Sequence, residues 1–323
     1  MSLVTNPGSA GLLNIGRDIN KFLRPTEITG YVKQTRFCDS LATKLANPTP
    51  PANLGKLHEM GSAIYAWVPR TQSEDMPCGA EIDDSCHFSN EEPEQHGLNL
   101  KFAQVSICHK KKGTFKFAKD QLYLLSPTNR SLIKKLVNQQ ISRDMIARID
   151  AYGLRTPLLY ASPDNFNSVA LGSVTNPLPT DTEEQMLTMV RNLVTHAGQK
   201  GIICSMDHSF TVVVSWALYM KLAQALRGTN YCCDNSAIVT GKLRTIFGLD
   251  FVPGQRVPCY YDATTGQTVE YVMMIDTRDY FVPFDMLYNE WRDGGHDMLL
   301  DYSYYYDSYL LDPDSAVVAT VKL

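Results

Sequence analysis

The apolar positions of this chain keep two rhythms. Between Ser126 and Gly153 they fall at Leu132, Ile133, Leu136, Val137, Ile141, Met145, Ile146 and Ile149. Steps of three and four line one side of an α-helix. Ser126 before Pro127 predicts an N-cap with proline at the first helical position, and Gly153 predicts the stop. The pattern therefore predicts a helix over 127–153, on the order of 40 Å long at about 1.5 Å per residue, enough to span a domain. A second helix is predicted from a capping box of Asp181 and Glu184 through Met186, Leu187, Met189, Val190, Leu193 and Val194 to Gly198. A third is expected over Phe210 to Arg227, although Val212, Val213 and Val214 are β-branched and resist a helical first turn.

The other rhythm is that of strands. SAIYAWVP after Gly61, the lysine-rich run from Leu98 to Asp120, LLYA after Thr156-Pro157, the short Gly201–Cys204 piece and TVEYVMMI at 268–275 all read as β. So do the C-terminal YYYDSYLL and AVVATV, separated by the turn Asp312-Pro313-Asp314. Terminal strands of this kind are expected to add to a sheet formed earlier in the chain. Residues 1–54, with Asn6-Pro7-Gly8 and the NPTPP run at 47–51, read instead as an extended, mildly basic arm with a little helix. Such an arm is either a solvated terminus or a segment that docks on a neighbouring subunit.

Charge changes the picture in one place. From Thr71 to Gly97 the chain carries Glu74, Asp75, Glu81, Asp83, Asp84, Glu91, Glu92 and Glu94 with no lysine or arginine. Immediately after come Lys101, Lys110, Lys111, Lys112, Lys116 and Lys119 on alternating strands. An acidic stretch followed by a basic ladder is either solvated surface or two halves of an intersubunit contact steered by charge. A long loop inside a compact domain argues for a partner to lie on. The net charge of −4 does not mark the whole chain as a nucleic-acid binder.

At 323 residues and 44% hydrophobic content the chain is able to build one elaborate core or two. No apolar run approaches the roughly 18 residues of a membrane span, and the first thirty residues lack a signal peptide's apolar centre, so a soluble protein is expected. The eight cysteines are scattered and read as reduced thiols made in a cytoplasm.

The chemistry-bearing side chains converge poorly. Cys204 with His208 suggests a thiol nucleophile and base, but Cys204 sits in an apolar stretch that reads as core. Cys78, Cys86, His87, His96, Cys108 and His109 lack the paired spacing of a zinc site. Asp301, Asp307, Asp312 and Asp314 read as turn and strand-edge polarity, and Tyr302, Tyr304, Tyr305, Tyr306 and Tyr309 as packing or subunit contact. Metalloprotease, nucleophile-elbow, Walker and dinucleotide motifs are absent from the sequence. The expectation is a protein that is not an enzyme and holds no cofactor or metal.

The order of these pieces, with Gln140–Asp150 at the helix end and Gly241–Pro258 as the best local matches, resembles the major capsid proteins of tailed bacteriophages, the Hong Kong 97 type fold. The resemblance covers nearly the whole chain and implies an α+β fold. It divides the chain into an N-terminal arm (1–54), an extended β loop (55–98), a peripheral domain (99–159 and 273–323) with its spine helix at 127–153, and an axial domain (160–272). It implies pentamers and hexamers closing into an icosahedral shell around double-stranded DNA, in a virion assembled in the host cytoplasm. Expected partners are further copies of the chain, portal, scaffolding and cement proteins, and packaged DNA held by non-specific contact. In this sequence no long helical segment stands before the arm, a departure from some members of the family it resembles, and a separate scaffold or a processed precursor stays open. Two alternatives stay open: an encapsulin-type compartment of the same fold, and a soluble thiol or metal enzyme.

Overall fold

The computed structural model describes residues 40–47, 49, 62–67, 100–118, 130–166, 168–200, 202, 210–228, 246, 248–263 and 266–323. In chain order these form α1 (Leu41–Leu45), β1 (Ser62–Trp67), β2 (Lys101–Ser106), β3 (His109–Ala118), α2 (Arg130–Gly153), α3 (Thr156–Tyr160), α4 (Glu183–Gln199), β4 (Phe210–Ser215) and α5 (Trp216–Gly228). There follow β5 (Asp250–Gly254), β6 (Cys259–Asp262), β7 (Gln267–Asp276), β8 (Tyr280–Phe281), β9 (Phe284–Asp293), β10 (Asp297–Tyr306), β11 (Tyr309–Leu310) and β12 (Ala316–Lys322).

A five-stranded sheet lies at the centre. It runs β12, β7, β4, β5, with β6 pairing the early half of β7. β7 is antiparallel to β12 and β4, whereas β4 and β5 are parallel, a pairing that needs a crossover connection, of which the helix α5 is a part. The Val212–Val214 run, Val272–Ile275 and Ala316–Ala319 are buried at every position. Period-2 alternation explains how an unbroken apolar run is accommodated, because both faces of this sheet are covered. Val213, Met273, Ile275, Ala316 and Val318 face the long helix α2 through Ile141, Met145 and Ile149. Val212, Val214, Val272, Met274, Val317 and Ala319 face the other way, onto Met186, Met189, Val190 and Leu193 of α4 and Leu218 and Leu222 of α5.

The second sheet has three strands in the order β3, β10, β9, all antiparallel. One face turns toward α2. There Phe115 stacks on Tyr302 at 4.8 Å, Tyr302 stacks on Tyr304, and both tyrosine hydroxyls donate to Asp144 Oδ2 of α2 at 3.0 and 3.1 Å. Burial, with the nearby Asp144 carboxylate, pushes both hydroxyls above the ordinary tyrosine range, so they remain donors. Gly113 makes room for this arrangement: a Cβ there would sit 2.3 Å from the Tyr302 ring.

Several expectations are corrected. LLYA is not a strand, because Thr156–Tyr160 continues from the long helix as α3 with Pro157 in its first turn. The stretch from Phe210 is not helical throughout: its β-branched residues form β4, and α5 starts only at Trp216 with Leu218 N–H bonded to the Ser215 hydroxyl. The capping box of α4 is one residue later than expected, with Thr182 as N-cap and Gln185 reaching back to the Thr182 N–H. Of the expected strand at 201–204 only Ile202 is described, its N–H bonded to the Ala197 carbonyl at the end of α4. The long helix is described from Arg130, and Ser126–Asn129 lie outside the described residues. Gly153 does end that helix, but for want of space rather than for left-handed backbone. A Cβ there would lie 2.7 Å from both Ala42 Cβ and the Tyr280 hydroxyl, so glycine lets α1 settle on α2.

Candidate assembly surfaces

Asp150 anchors the first described residues to the end of α2. Its side chain is almost fully buried and accepts from Leu41 N at 3.2 Å, Ala42 N at 3.0 Å and the Ser40 hydroxyl at 3.2 Å. Arg256 Nη1, after β5, completes the set at 3.3 Å. Asp150 thus supplies, from more than a hundred residues away, the N-cap that α1 lacks in its own sequence. Burial raises its pKa while the two backbone donors, Arg256 and Ser40 pull it down, and burial dominates. This anchor was not legible in the sequence, since nothing marks one aspartate in RIDAYG as the cap of a distant helix.

The β1–β2 ribbon is the second surface. It is antiparallel, with Ser62 opposite Ser106 and Trp67 opposite Lys101. Ala63 and Val105 pack with Phe281 and Leu311, and the Tyr309 hydroxyl donates to the Ser106 carbonyl. Asp307 ties this base together by accepting from Cys108 N at 2.9 Å and from the Tyr309 hydroxyl at 3.1 Å. The opposite face exposes Ile64 and Phe102, which are diagonal neighbours across the ribbon. A two-stranded ribbon is marginal alone, so its seat on Phe281 and Leu311 is what holds it.

The third surface is the face of the three-stranded sheet turned away from α2. Alternation along β3 splits the lysine ladder. Lys110, Lys112 and Lys116 are exposed on the outward side with Thr114, whereas Lys111 shares the inward register with Phe115 and Phe117. Lys101 belongs to the ribbon instead. Arg292 and Thr114 both bond to Asp301, holding its carboxyl below the usual range, with the Arg292 hydrogen bond the largest cause. Lys119 and all eight acidic candidates, Glu74, Asp75, Glu81, Asp83, Asp84, Glu91, Glu92 and Glu94, lie outside the described residues.

Several of the remaining chemistry-bearing residues are occupied structurally. His109 packs edge-on to Tyr152 at 4.4 Å and stacks on Tyr306 at 5.5 Å. The Asp312 side chain accepts from Asp314 N in the turn before β12, and Asp307 and Asp301 are engaged as described. Among the described residues no group of three metal-ligating side chains comes together, and no helix is long and apolar enough to cross a membrane. Cys108 and Cys259 are free and exposed. Cys78, Cys86, His87, His96, Cys204 and His208 lie outside the described residues.

No family model and no curated protein matches the chain. Solved structures do. It aligns with a structure of Mycobacterium phage Che8 at a TM-score of 0.56 and 11% identity, covering 88% of this chain and 92% of that one. The procapsid of satellite phage P4, which includes the size determination protein Sid, aligns at 0.54 and 9% identity over 97% of each chain. The capsid of cyanophage P-SCSP1u aligns at 0.52 and 13% identity, over 80% of this chain and 82% of that one. This chain has the Hong Kong 97 type capsid fold. At these identities what is shared is the overall fold, and the sequence resemblance is borne out as fold.

Proposed function

We propose that this chain is the major capsid protein of a tailed bacteriophage, a structural protein rather than an enzyme. On this reading its copies form pentamers and hexamers that close into an icosahedral shell around double-stranded DNA. The observation that carries it is the alignment over 97% of both chains with a chain of the satellite phage P4 procapsid. Physical requirements agree: a shell protein needs a rigid body with contact surfaces on several edges, repeated by symmetry, rather than a pocket. The two-sided core of the five-stranded sheet supplies the rigid body. The ribbon, the residues 40–45 anchored on Asp150 and the outward face of the three-stranded sheet supply surfaces.

In this reading residues 1–54 are the arm, 55–98 the extended loop, 99–159 with 273–323 the peripheral domain, and 160–272 the axial domain around capsomer symmetry axes. Portal, scaffolding and cement proteins are the expected partners, and the site of assembly is the host cytoplasm. The test is to express the chain with its neighbouring phage genes and isolate nuclease-treated particles. Shells that protect double-stranded DNA support the reading. Shells that enclose a specific cargo protein and no DNA replace it with a compartment of the same fold.

A further inference from the structure

We propose that His196 and Asn165 form an acid-sensitive clasp, which fastens the last turn of α4 to the turn Pro163–Asn165 at neutral pH and releases it in acid. The clasp lies within one chain, so it goes beyond the capsid reading and holds whether or not shells form. The turn is fixed on its far side: Ser162 N, just before it, donates to the Pro313 carbonyl at 3.0 Å, and the turn rests on β12. Three side-chain contacts join α4 and its C-cap Lys200 to the segment after α3. Asn192 Nδ2 donates to the Ala170 carbonyl at 2.9 Å, His196 Nε2 lies 3.2 Å from Asn165 Oδ1, and Lys200 Nζ pairs with Asp164 Oδ2 at 3.2 Å. The first does not titrate, and the last is an exposed ion pair of small worth. The second changes with a proton.

Asn165 is buried, and its Nδ2 has no hydrogen-bond partner among the described residues. A buried amide nitrogen without an acceptor is costly, and the imidazole supplies the relief. A neutral ring carries one N–H and one lone pair. The Asp164 backbone carbonyl also accepts from this ring. With the single N–H given to that carbonyl, Nε2 is left as an acceptor. Turned over about its Cβ–Cγ bond, the Asn165 amide donates Nδ2 to Nε2, and the orphaned nitrogen is paired. An N–H at Nε2 instead needs Oδ1 opposite it, and Nδ2 is left with no acceptor. The two protonation states therefore demand opposite orientations of one buried amide, and the neutral state satisfies it. The surrounding groups push the same way. Burial, then the Lys200 ammonium, lower the His196 pKa from its ordinary 6.5, against the pull of Asp164. Those two, one from the end of the helix and one from the turn, are the charged groups acting on the ring; among the described residues none from β12 or the Pro313–Ser315 turn joins them. A lowered folded-state pKa means that the clasp is complete above 6.5 and is lost as pH falls from there through the folded value. Asn192 holds α4 to Ala170 in both states, so acid frees the last turn alone.

Hydrogen exchange of the full-length chain, read at about pH 5 and about pH 7.5 and corrected for the intrinsic rate at each, tests this. The amides of Lys200 and Ile202, which donate to the His196 and Ala197 carbonyls, should exchange about threefold or more faster at the lower pH. Those of Met189 to Leu193, in the middle of α4, should keep their rates. H196Q, which offers Asn165 a hydrogen-bonding amide but no titrating group, should exchange alike at both pH values. K200Q, which removes the repelling ammonium and leaves Asp164 to act on the ring, should move the step to higher pH. Equal rates at both pH values in the unmodified chain, a step that survives in H196Q, or a step that K200Q leaves in place overturns the proposal. So does faster exchange along the whole of α4, which marks general unfolding in acid. Lys200 is exposed, so K200Q decides the matter should H196Q fail to fold.

Discussion

The two sheets use similar residues to different ends. In the five-stranded sheet Val212–Val214, Val272–Ile275 and Ala316–Ala319 are buried without interruption, because α2 covers one face and α4 with α5 the other. In the three-stranded sheet burial alternates: Met298, Leu300, Tyr302 and Tyr304 turn inward, while Lys110, Lys112, Thr114 and Lys116 stay in water. A sheet covered twice is committed to holding the body together. A sheet covered once keeps a face free for contacts, so mutations in the first are expected to act on stability and mutations in the second on association.

The sharpest way to break this contrast is a cavity in the first sheet. Met274→Ala should cost about 2–5 kcal/mol in urea unfolding, with assembly lost only as a consequence of unfolding. Lys112→Ala in the other sheet should stay within about 0.5 kcal/mol by the same measurement. Comparable losses from both would remove the distinction. Next in size is Asp150→Ala, which strands Leu41 N, Ala42 N and the Ser40 hydroxyl in a buried site and leaves Arg256 without its carboxylate. A loss of about 2–4 kcal/mol is expected. It should be accompanied by early proteolytic cleavage near residues 40–45, and unchanged protease resistance would show that the arm is held elsewhere. Gly113→Ala should cost about 1–3 kcal/mol by pushing the Tyr302 ring off Phe115, read from near-ultraviolet circular dichroism together with the unfolding midpoint.

The smallest effect is a pH dependence inside the two-sided sheet. Glu270 of β7 is nearly buried, one of its carboxylate oxygens has no hydrogen-bond partner among the described residues, and burial raises its pKa against the opposing pull of Ser215 and Lys221. A raised folded-state pKa means that the folded chain binds this proton more tightly than the unfolded one. Its contribution to stability is thus complete below the ordinary glutamate value of 4.5 and is lost as pH rises through the folded pKa. Glu270→Gln should therefore melt higher than the native chain at pH 7, with the gap closing below about pH 4.5. A gap that stays constant with pH would show that Glu270 is not the titrating group.

The same contrast explains what the sequence made legible. Alternating strands such as SAIYAW and the lysine-rich pair were readable because one residue in two repeats its surroundings, and AVVATV because it is a short β-branched run bounded by a turn. Where apolar residues crowd from Phe210 through Leu222, interrupted by Thr211, Ser215 and Lys221, no period separates strand from helix, and the β-branched valines were the sign of the boundary at Ser215. TPLLY is too short for a period at all and was taken into the helical layer by its neighbours. The lysine ladder read as one surface, but a strand turns adjacent residues to opposite sides, so Lys111 parted from Lys110 and Lys112. The Asp150 anchor was invisible because two of its partners are backbone N–H groups, which carry no residue identity, and the other two, Ser40 and Arg256, lie more than a hundred residues away along the chain.

Negative-stain electron microscopy of the purified full-length chain, alongside sedimentation at low and high salt, tests the capsid reading most directly. The account predicts uniform closed shells, or discrete rings of five and six subunits when closure is blocked. A monomer or dimer that persists at every salt concentration, with or without a scaffolding protein, would contradict it.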